Sequence, residues 1–387
     1  MKINKNEGGI YMKLIIGADL VSTPSNSSFF VTGNIEEIID RKILELLNNA
    51  DYRIFNLEVP LTDDFSPIEK AGPVLSSPTA TIKGIKKLGV DFVTLANNHI
   101  YDHGEEGVKS TIKLLKDNNI SYAGVGDFEN AHSVHFFEHE NIKIGVYCCC
   151  EHEFSIVTKE HIGANPFDPL ESIDHISRAS QQCDHLIVLY HGGREHYRYP
   201  SPNLQKVCRK IVDKGASLVV CQHSHCVGCK EDYKGSTIIY GQGNFLFDLR
   251  DNEYWNSALL LEVEASKENL NISYHPINKE GKSIKIGDSA IIEQFTNRSK
   301  EIISDDFIEL KYKSLVQENI DYLLFNICGK NQNSFMFKAF NRLSRGRYKK
   351  KLATRYFKRN KNRLINYLDC EAYNELILYG LKKCRKD

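Results

Sequence analysis

The chain has 387 residues with 50 basic and 50 acidic side chains, 41% apolar and 26% charged, the composition of a soluble globular protein rather than a disordered, fibrous or membrane-embedded one. No apolar run is long enough to span a bilayer. The charge is uneven: residues 331–387 carry sixteen Lys/Arg against four Asp/Glu, whereas all fourteen histidines lie between His99 and His275, so two regions with different tasks are expected.

In chain order, Leu14-Ile15-Ile16 reads as a buried strand ending at Asp19. Ile35 to Leu47 has helical spacing, with Ile38, Ile39, Ile43, Leu46 and Leu47 on one face. Arg53-Ile54-Phe55 leads to Asn56-Leu57-Glu58, Thr79 to Leu88 is a short helix, and Phe92 to Leu95 is a strand ending at Asn97. Glu105 to Lys116 reads as a helix, Ile142 to Cys148 as a strand, and Leu170 to Ala179 as a helix. Leu186 to Leu189 is a strand ending at Tyr190-His191; Leu204 to Val212 is a helix, and Leu218 to Cys221 a strand. Thr237 to Tyr240, Ala258 to Val263 and Ile272 to Tyr274 read as mainly antiparallel strands. Alternation of this kind predicts a largely parallel sheet with a second sheet contribution, in an α/β domain over roughly 13–285, followed by a basic, mainly helical extension over 286–387.

Polar, metal-capable residues follow these strands repeatedly. Asp19, Glu58, Asn98, His191, His223 and His225 each stand at or just past a strand end, where open α/β sheets place their sites. In Gln222-His223-Ser224-His225 both imidazoles can turn to one point if the backbone bends. Two carboxylates, an amide oxygen and several imidazoles form a mixed O/N set suited to one or two divalent ions, Mn²⁺, Fe or Zn²⁺. The eleven cysteines show no CxxC…CxxC pattern and read as free buried thiols in a reducing compartment; a redox or structural-metal role for Cys226-x-x-Cys229 is the alternative. Met1 to Met12 is polar and has no apolar signal core, which points to the cytoplasm. His132, His135 and His139 are expected on an exposed strand face, and Glu151-His152-Glu153 could line the cleft.

Together, Asn56-Leu57-Glu58-x-Pro60, Asn97-Asn98-His99-x-x-Asp102-x-Gly104, Ala123-Gly124-Val125-Gly126, His191-x-Gly193-x-Glu195, Gln222-His223-Ser224-His225 and Gly243-Asn244-Phe245 resemble the CapA family of poly-gamma-glutamate capsule biosynthesis proteins. That family looks like a branch of the calcineurin-like metallophosphoesterases. The resemblance implies a four-layer α/β/β/α sandwich with a metal centre at the strand ends. It implies Asp19, Glu58, Asn98, His191, His223 and His225 as metal ligands, and His99 as a general acid oriented by Asp102. Asn97, Glu195 and Asn244 would contact substrate or support the ligands. The phosphoesterase opening is Asp-x-His; here Val21 stands two residues after Asp19, which implies one tight and one weak metal site. The aromatic that usually follows the His of the fifth motif is Gly192 here, and the glycine before the final His pair is Gln222.

Two functions are carried forward. One is a metal-dependent hydrolase acting on an anionic polymer or phosphorylated substrate; the other is a non-catalytic capsule-assembly or polymer-binding component with the same fold. For the basic tail, densest at Arg342–Lys351, the expectation is peripheral contact with an anionic membrane surface or polymer. Nucleic acid is disfavoured because no nucleic-acid-binding fold accompanies the basic run. Leu364, Tyr367, Leu368, Tyr373, Leu376 and Ile377 would form an apolar stripe beside it.

Overall fold

The computed structural model describes residues 11–248, 252–304, 306–327 and 334–369. Tyr373, Leu376 and Ile377 lie outside them. The chain divides into two compact units, Met1–Ile308 and Glu309–Asp387.

The first unit is built on two sheets. Its strands, in chain order, are β1 (Met12–Leu20), β2 (Tyr52–Leu57), β3 (Phe92–Thr94), β4 (Ser121–Ala123), β5 (His135–His139), β6 (Ile142–Cys150), β7 (His185–His191), β8 (Ala216–Gln222), β9 (Lys230–Tyr233), β10 (Ser236–Tyr240), β11 (Asn244–Leu246), β12 (Ser257–Ala265), β13 (Leu270–Glu280) and β14 (Ser283–Ile286). The first sheet runs β14-β13-β12-β1-β2-β3-β4, with β11 also pairing to β1; the second runs β9-β10-β8-β7-β6-β5. In each, the central strands are parallel: β1 to β4 in the first, β6, β7, β8 and β10 in the second. Ser236–Tyr240 thus pairs in parallel with β8, although its sequence reads as antiparallel; it is antiparallel only to its hairpin partner β9.

Alternation along the strands builds the layers. Val146, Cys148 and Cys150 of β6 join the core shared with the first sheet, as do Ile187 and Leu189 of β7. Tyr147 and Cys149, then Leu186, Val188 and Tyr190, face the opposite way. There they meet α3 (Ser172–Ser180) and α4 (Pro202–Asp213), through Ile176, Leu204, Cys208 and Ile211. Ser201 caps α4 by accepting from Leu204 N–H, and Pro202 occupies the first turn. Helices α1 (Arg41–Asn48) and α2 (Gly104–Asp117) serve the first sheet, burying Ile43, Leu47, Val108 and Leu115. The result is a four-layer α/β/β/α sandwich.

The helical spacing of Ile35 to Leu47 does not produce one helix. Asp40 N–H donates to Ile284 O, and Ile284 N–H donates to Ile38 O, so this backbone is held by the sheet edge. Asp40 then caps α1, accepting from Lys42 N–H. Nor are His132 and His135 on an exposed face, and His139 is half-buried. The His135 ring packs at 5.0 Å from Phe92 and 4.7 Å from Phe137, and His132 stacks on His175 at 4.0 Å. All eight described cysteines are free. Burial raises the Cys226 and Cys229 thiols, which places both as inert core residues.

The unit extends through α5 (Ser289–Glu301), whose Phe295 is buried, to Ile308. In the second unit, α6 (Phe335–Leu343) and α7 (Arg347–Asp369) form a helical pair in which Phe337 and Phe340 pack on Tyr348. No described helix is long and apolar enough to cross a membrane.

Candidate metal centre

Register fixes which residues meet. Asp19 on β1 is level with Asn56 on β2 and Asn244 on β11, while His191 on β7 is level with Cys150 and Gln222. Since Leu189 faces the shared core and Tyr190 faces α4, His191 returns to the inner side. Just past β8, His223 and His225 both adopt left-handed backbone, φ 78° and 52°. Non-glycine residues rarely do so, and such strain gathers at functional sites. Here it supplies the bend that turns both rings inward. Gln222, standing where the family has glycine, ties the sheets together by donating to Gly17 O.

His191 Nε2 is the hub. Asn98 Oδ1 lies 3.0 Å away, His223 Nδ1 3.1 Å and Glu58 Oε1 3.4 Å. Donors about 2.1 Å from one ion stand roughly 3.0–3.4 Å apart in octahedral or tetrahedral geometry, so each of these three contacts of His191 Nε2 has ligand spacing. Beside them, Asp19 Oδ2 lies 3.4 Å from His225 Nδ1, which also meets Asn244 Oδ1 at 2.9 Å. Glu58 is shared: its carboxylate groups with His223 and His225 and also with Asp19 and His191. All these side chains are buried.

The electrostatics point to a cation. Both oxygens of Glu58 and Oδ2 of Asp19 are buried without a hydrogen bond, and a buried carboxylate so placed calls for an ion. Burial, then the charge of Asp19, pushes Glu58 up to about 8. Burial opposes protonation of His225, but the Glu58 and Asp19 carboxylates outweigh it and lift this imidazole to about 9. Burial opposes ionisation of Asp19, yet His225, His191 and Asn56 hold it below the usual carboxylate range. Burial, with other imidazoles nearby, depresses His191 to about 4 and His223 well below its ordinary value, so both are neutral and able to ligate.

His99 stands at the rim, 6% exposed, and does not join the cluster. Its Nδ1 donates to Asp102 Oδ2 at 2.6 Å, and its charge reaches Glu58 and His191. Asp102 also accepts from Leu75 N–H and from Lys70 Nζ, at 2.7 and 2.6 Å. Asn97, expected either to contact substrate or to support the ligands, lies beneath the site, against Asn56. It is fully buried, donates to Asn56 Oδ1 and Leu57 O, and accepts from the His99 and Ile100 amides, so no polar atom is left for a ligand. Asn244 sits beside His225 after a turn at Gly243, where a Cβ would meet Ser257 O at 2.5 Å. The charge of Glu195 reaches both Glu58 and His223.

Two contributors, Asn56 and Lys70, were given no site role from the sequence, and a third, Glu153, belongs to the segment expected to line the cleft. Asn56 Nδ2 donates to Asp19 Oδ1 at 2.8 Å and lies 3.2 Å from His191 Nδ1, bracing two candidate ligands at once. It belongs to the Asn-Leu-Glu motif, so its signal was present. Glu153 Oε2 accepts from Asn98 Nδ2 at 3.4 Å, with Oε1 3.8 Å from His223 Nε2. Lys70 lies in a loop with no local signature, and only the fold reveals it.

A shared-carboxylate cluster of oxygen and nitrogen donors thus stands at the carboxyl edges of two facing sheets, the arrangement of a candidate divalent-metal site. The family described as "Bacterial capsule synthesis protein PGA_cap" matches residues 20–249, and the chain belongs to that family. It is 30% identical over 234 residues to the capsule biosynthesis protein CapA of Bacillus anthracis, covering 58% of this chain and 57% of the relative. It is 28% identical over 217 residues to the PGA biosynthesis protein CapA of Bacillus subtilis, covering 54% and 57%. The chain thus spans just over half the length of these curated relatives. A solved phosphatase from Mycoplasma pneumoniae overlaps 74% of this chain and 98% of its own length, at 14% identity and a TM-score of 0.40.

Proposed function

We propose that this member of the capsule synthesis family is a metal-dependent hydrolase acting on an anionic exopolymer, of poly-gamma-glutamate type, or on a phosphorylated precursor of one. The observation that supports it most is the set of unpartnered Glu58 and Asp19 oxygens facing three imidazoles, next to a His99–Asp102 pair outside the ligand set. Glu58, Asn98, His191 and His223 would hold one divalent ion, Mn²⁺, Fe or Zn²⁺. Asp19, Glu58 and His225 would hold a second, weaker one, since Val21 supplies no donor there. Such an ion supplies Lewis acidity, which makes water more acidic and polarises a phosphoryl or carbonyl oxygen. The chain's own residues do the rest. Asp102 fixes the His99 tautomer, and His99 Nε2 hands a proton to the leaving group. Lys70 neutralises Asp102 and holds Asn98 O at 2.9 Å, tying the acid to a ligand. Asn244 lies against His225 and would support it, and the Glu195 charge bears on Glu58 and His223.

The three-donor Asp19 side also suits a non-catalytic reading, in which the fold binds polymer for capsule assembly. Metal analysis of the purified chain, followed by a phosphodiester and gamma-glutamyl hydrolysis panel, separates the two. Stoichiometric metal with metal-dependent turnover supports the enzyme; polymer binding with no turnover supports the alternative.

A further inference from the structure

Beyond the metal centre, the second sheet carries a cavity of about 620 Å³ on its helix-covered side. That volume is within the range of small-molecule sites, roughly 300–1,000 Å³. Its floor is apolar and aromatic: Tyr190 and Phe167 are 4% and 6% exposed and pack edge to face at 5.5 Å. Ile173 of α3 and Val207 of α4 form the walls. Asn203, Lys206, Val207 and Lys210, at i, i+3, i+4 and i+7, turn one stripe of α4 to the cavity, while Leu204, Cys208 and Ile211 turn another to the core.

Lys206 and Lys210 are exposed at the mouth, and neither forms an ion pair among the described residues. The one carboxylate on the lining, Glu151, sits at the inner end, where its Oε1 accepts from Gly193 N–H at 3.0 Å. An occupant is therefore oriented: an anion is repelled by the Glu151 end and attracted by the lysine end. Gly192 makes this packing possible, because a Cβ there would meet Glu151 Cγ at 2.5 Å and Tyr190 Cε1 at 2.6 Å.

We propose that this cavity is a binding site for a small amphipathic anion, an aryl or acyl group packed on Tyr190 and Phe167 with its single negative charge between Lys206 and Lys210. The site is separate from the metal cluster but shares its frame. Tyr190 precedes the ligand His191, and Glu151 lies two residues before Glu153, so an occupant bears on the strand ends that carry the centre.

The test is a fluorescence titration of the full chain with anilinonaphthalene sulfonate as the amphipathic anion and uncharged phenylnaphthylamine as its control. One saturable site is expected, with the anion bound about tenfold tighter than the control. Lys206→Glu/Lys210→Glu should weaken the anion by about tenfold or more and leave the Tm in place, both positions being exposed. Val207→Phe, which fills the cavity, should weaken both probes. Equal affinity for the two probes, more than one equivalent bound, or binding unchanged by charge reversal would each overturn the proposal.

Discussion

Lys70 Nζ lies 2.6 Å from Asp102 Oδ1, and the two side chains are 2% and 0% exposed. The same carboxylate holds His99 through its other oxygen at 2.6 Å, so an ammonium from an irregular loop anchors the residue that orients the rim imidazole. Removing one partner of a buried ion pair leaves the other charge uncompensated, at a cost of about 3–5 kcal/mol. Lys70→Ala should therefore lower unfolding stability by that order in urea titrations. The double variant Lys70→Ala/Asp102→Ala should lose clearly less than the sum of the singles. Additive losses would show that the pair is not coupled.

His99→Ala should keep its metal and lose turnover. The ring sits outside the ligand cluster, and a general acid contributes typically about 10²–10⁴-fold. Elemental analysis beside kinetics checks both halves. Loss of metal would reassign His99 as a ligand, whereas unchanged turnover would remove it from the chemistry.

Metal uptake should release protons and tighten with pH. Glu58, raised to about 8, and His225, raised to about 9, are the groups that hold protons near neutrality in the ion-free chain, and ligation displaces them. His191 and His223, both depressed, have none to give. Because the Glu58 charge is itself what raises His225 against burial, the two titrate together, and calorimetry in buffers of different ionisation enthalpy should report about one to two protons released near pH 7. Affinity should climb as pH rises through the range of those two values and then level off. A pH-independent affinity between about 6 and 9 would contradict this assignment.

Much of this candidate centre was legible because its donor residues come from strand ends, where short-range pattern and topology agree. A run such as Leu218-Val219-Val220-Cys221 before Gln222-His223-Ser224-His225 marks both a buried strand and a donor pair at its carboxyl edge. Two kinds of information were not legible. Long-range pairing was one: Ile284 breaks the helical spacing at Asp40, and the parallel partnership of β10 with β8 is invisible in Thr237–Tyr240 itself. The direction of individual side chains was the other. Asn97 and Asn98 are neighbours in one motif, yet the turn after β3 sends one beneath the site and the other into it. Lys70 belongs to both kinds, since a lone lysine in a loop gives no hint of a buried carboxylate thirty-two residues away.

Glu58→Gln should trade metal binding for ion-free stability. The carboxyl is raised from its ordinary 4.5 to about 8, so its contribution is fully present below about 4.5 and is lost as pH rises through about 8. The contribution of His225, raised from 6.5 to about 9, is lost over the adjoining window and reinforces the trend. In chelator, the parent chain should therefore lose Tm between about pH 5 and 9, and Glu58→Gln should lose less. With added Mn²⁺ the order should reverse, because only the parent gains from the ion. Parallel Tm profiles in chelator would show that Glu58 carries no unfavourable buried charge.

The basic extension is expected to add anionic-surface affinity and nothing to the metal centre. In α6, Phe335, Met336 and Leu343 are 85%, 67% and 81% exposed, and the dense run Arg342–Lys351 follows directly. Exposed apolar side chains flanked by like charges are the composition of an interfacial helix. Each basic residue near an anionic leaflet contributes on the order of 1 kcal/mol, and that attraction is screened by salt. The full chain should therefore co-sediment with phosphatidylserine vesicles at low salt and release at high salt. A chain ending at Gly329 should stay in the supernatant at both, with its metal content unchanged. If the extension instead serves the rest of the protein, the shortened chain should melt lower and the full chain should never reach the pellet. Absence of vesicle binding by the full chain at low salt would rule out the membrane role.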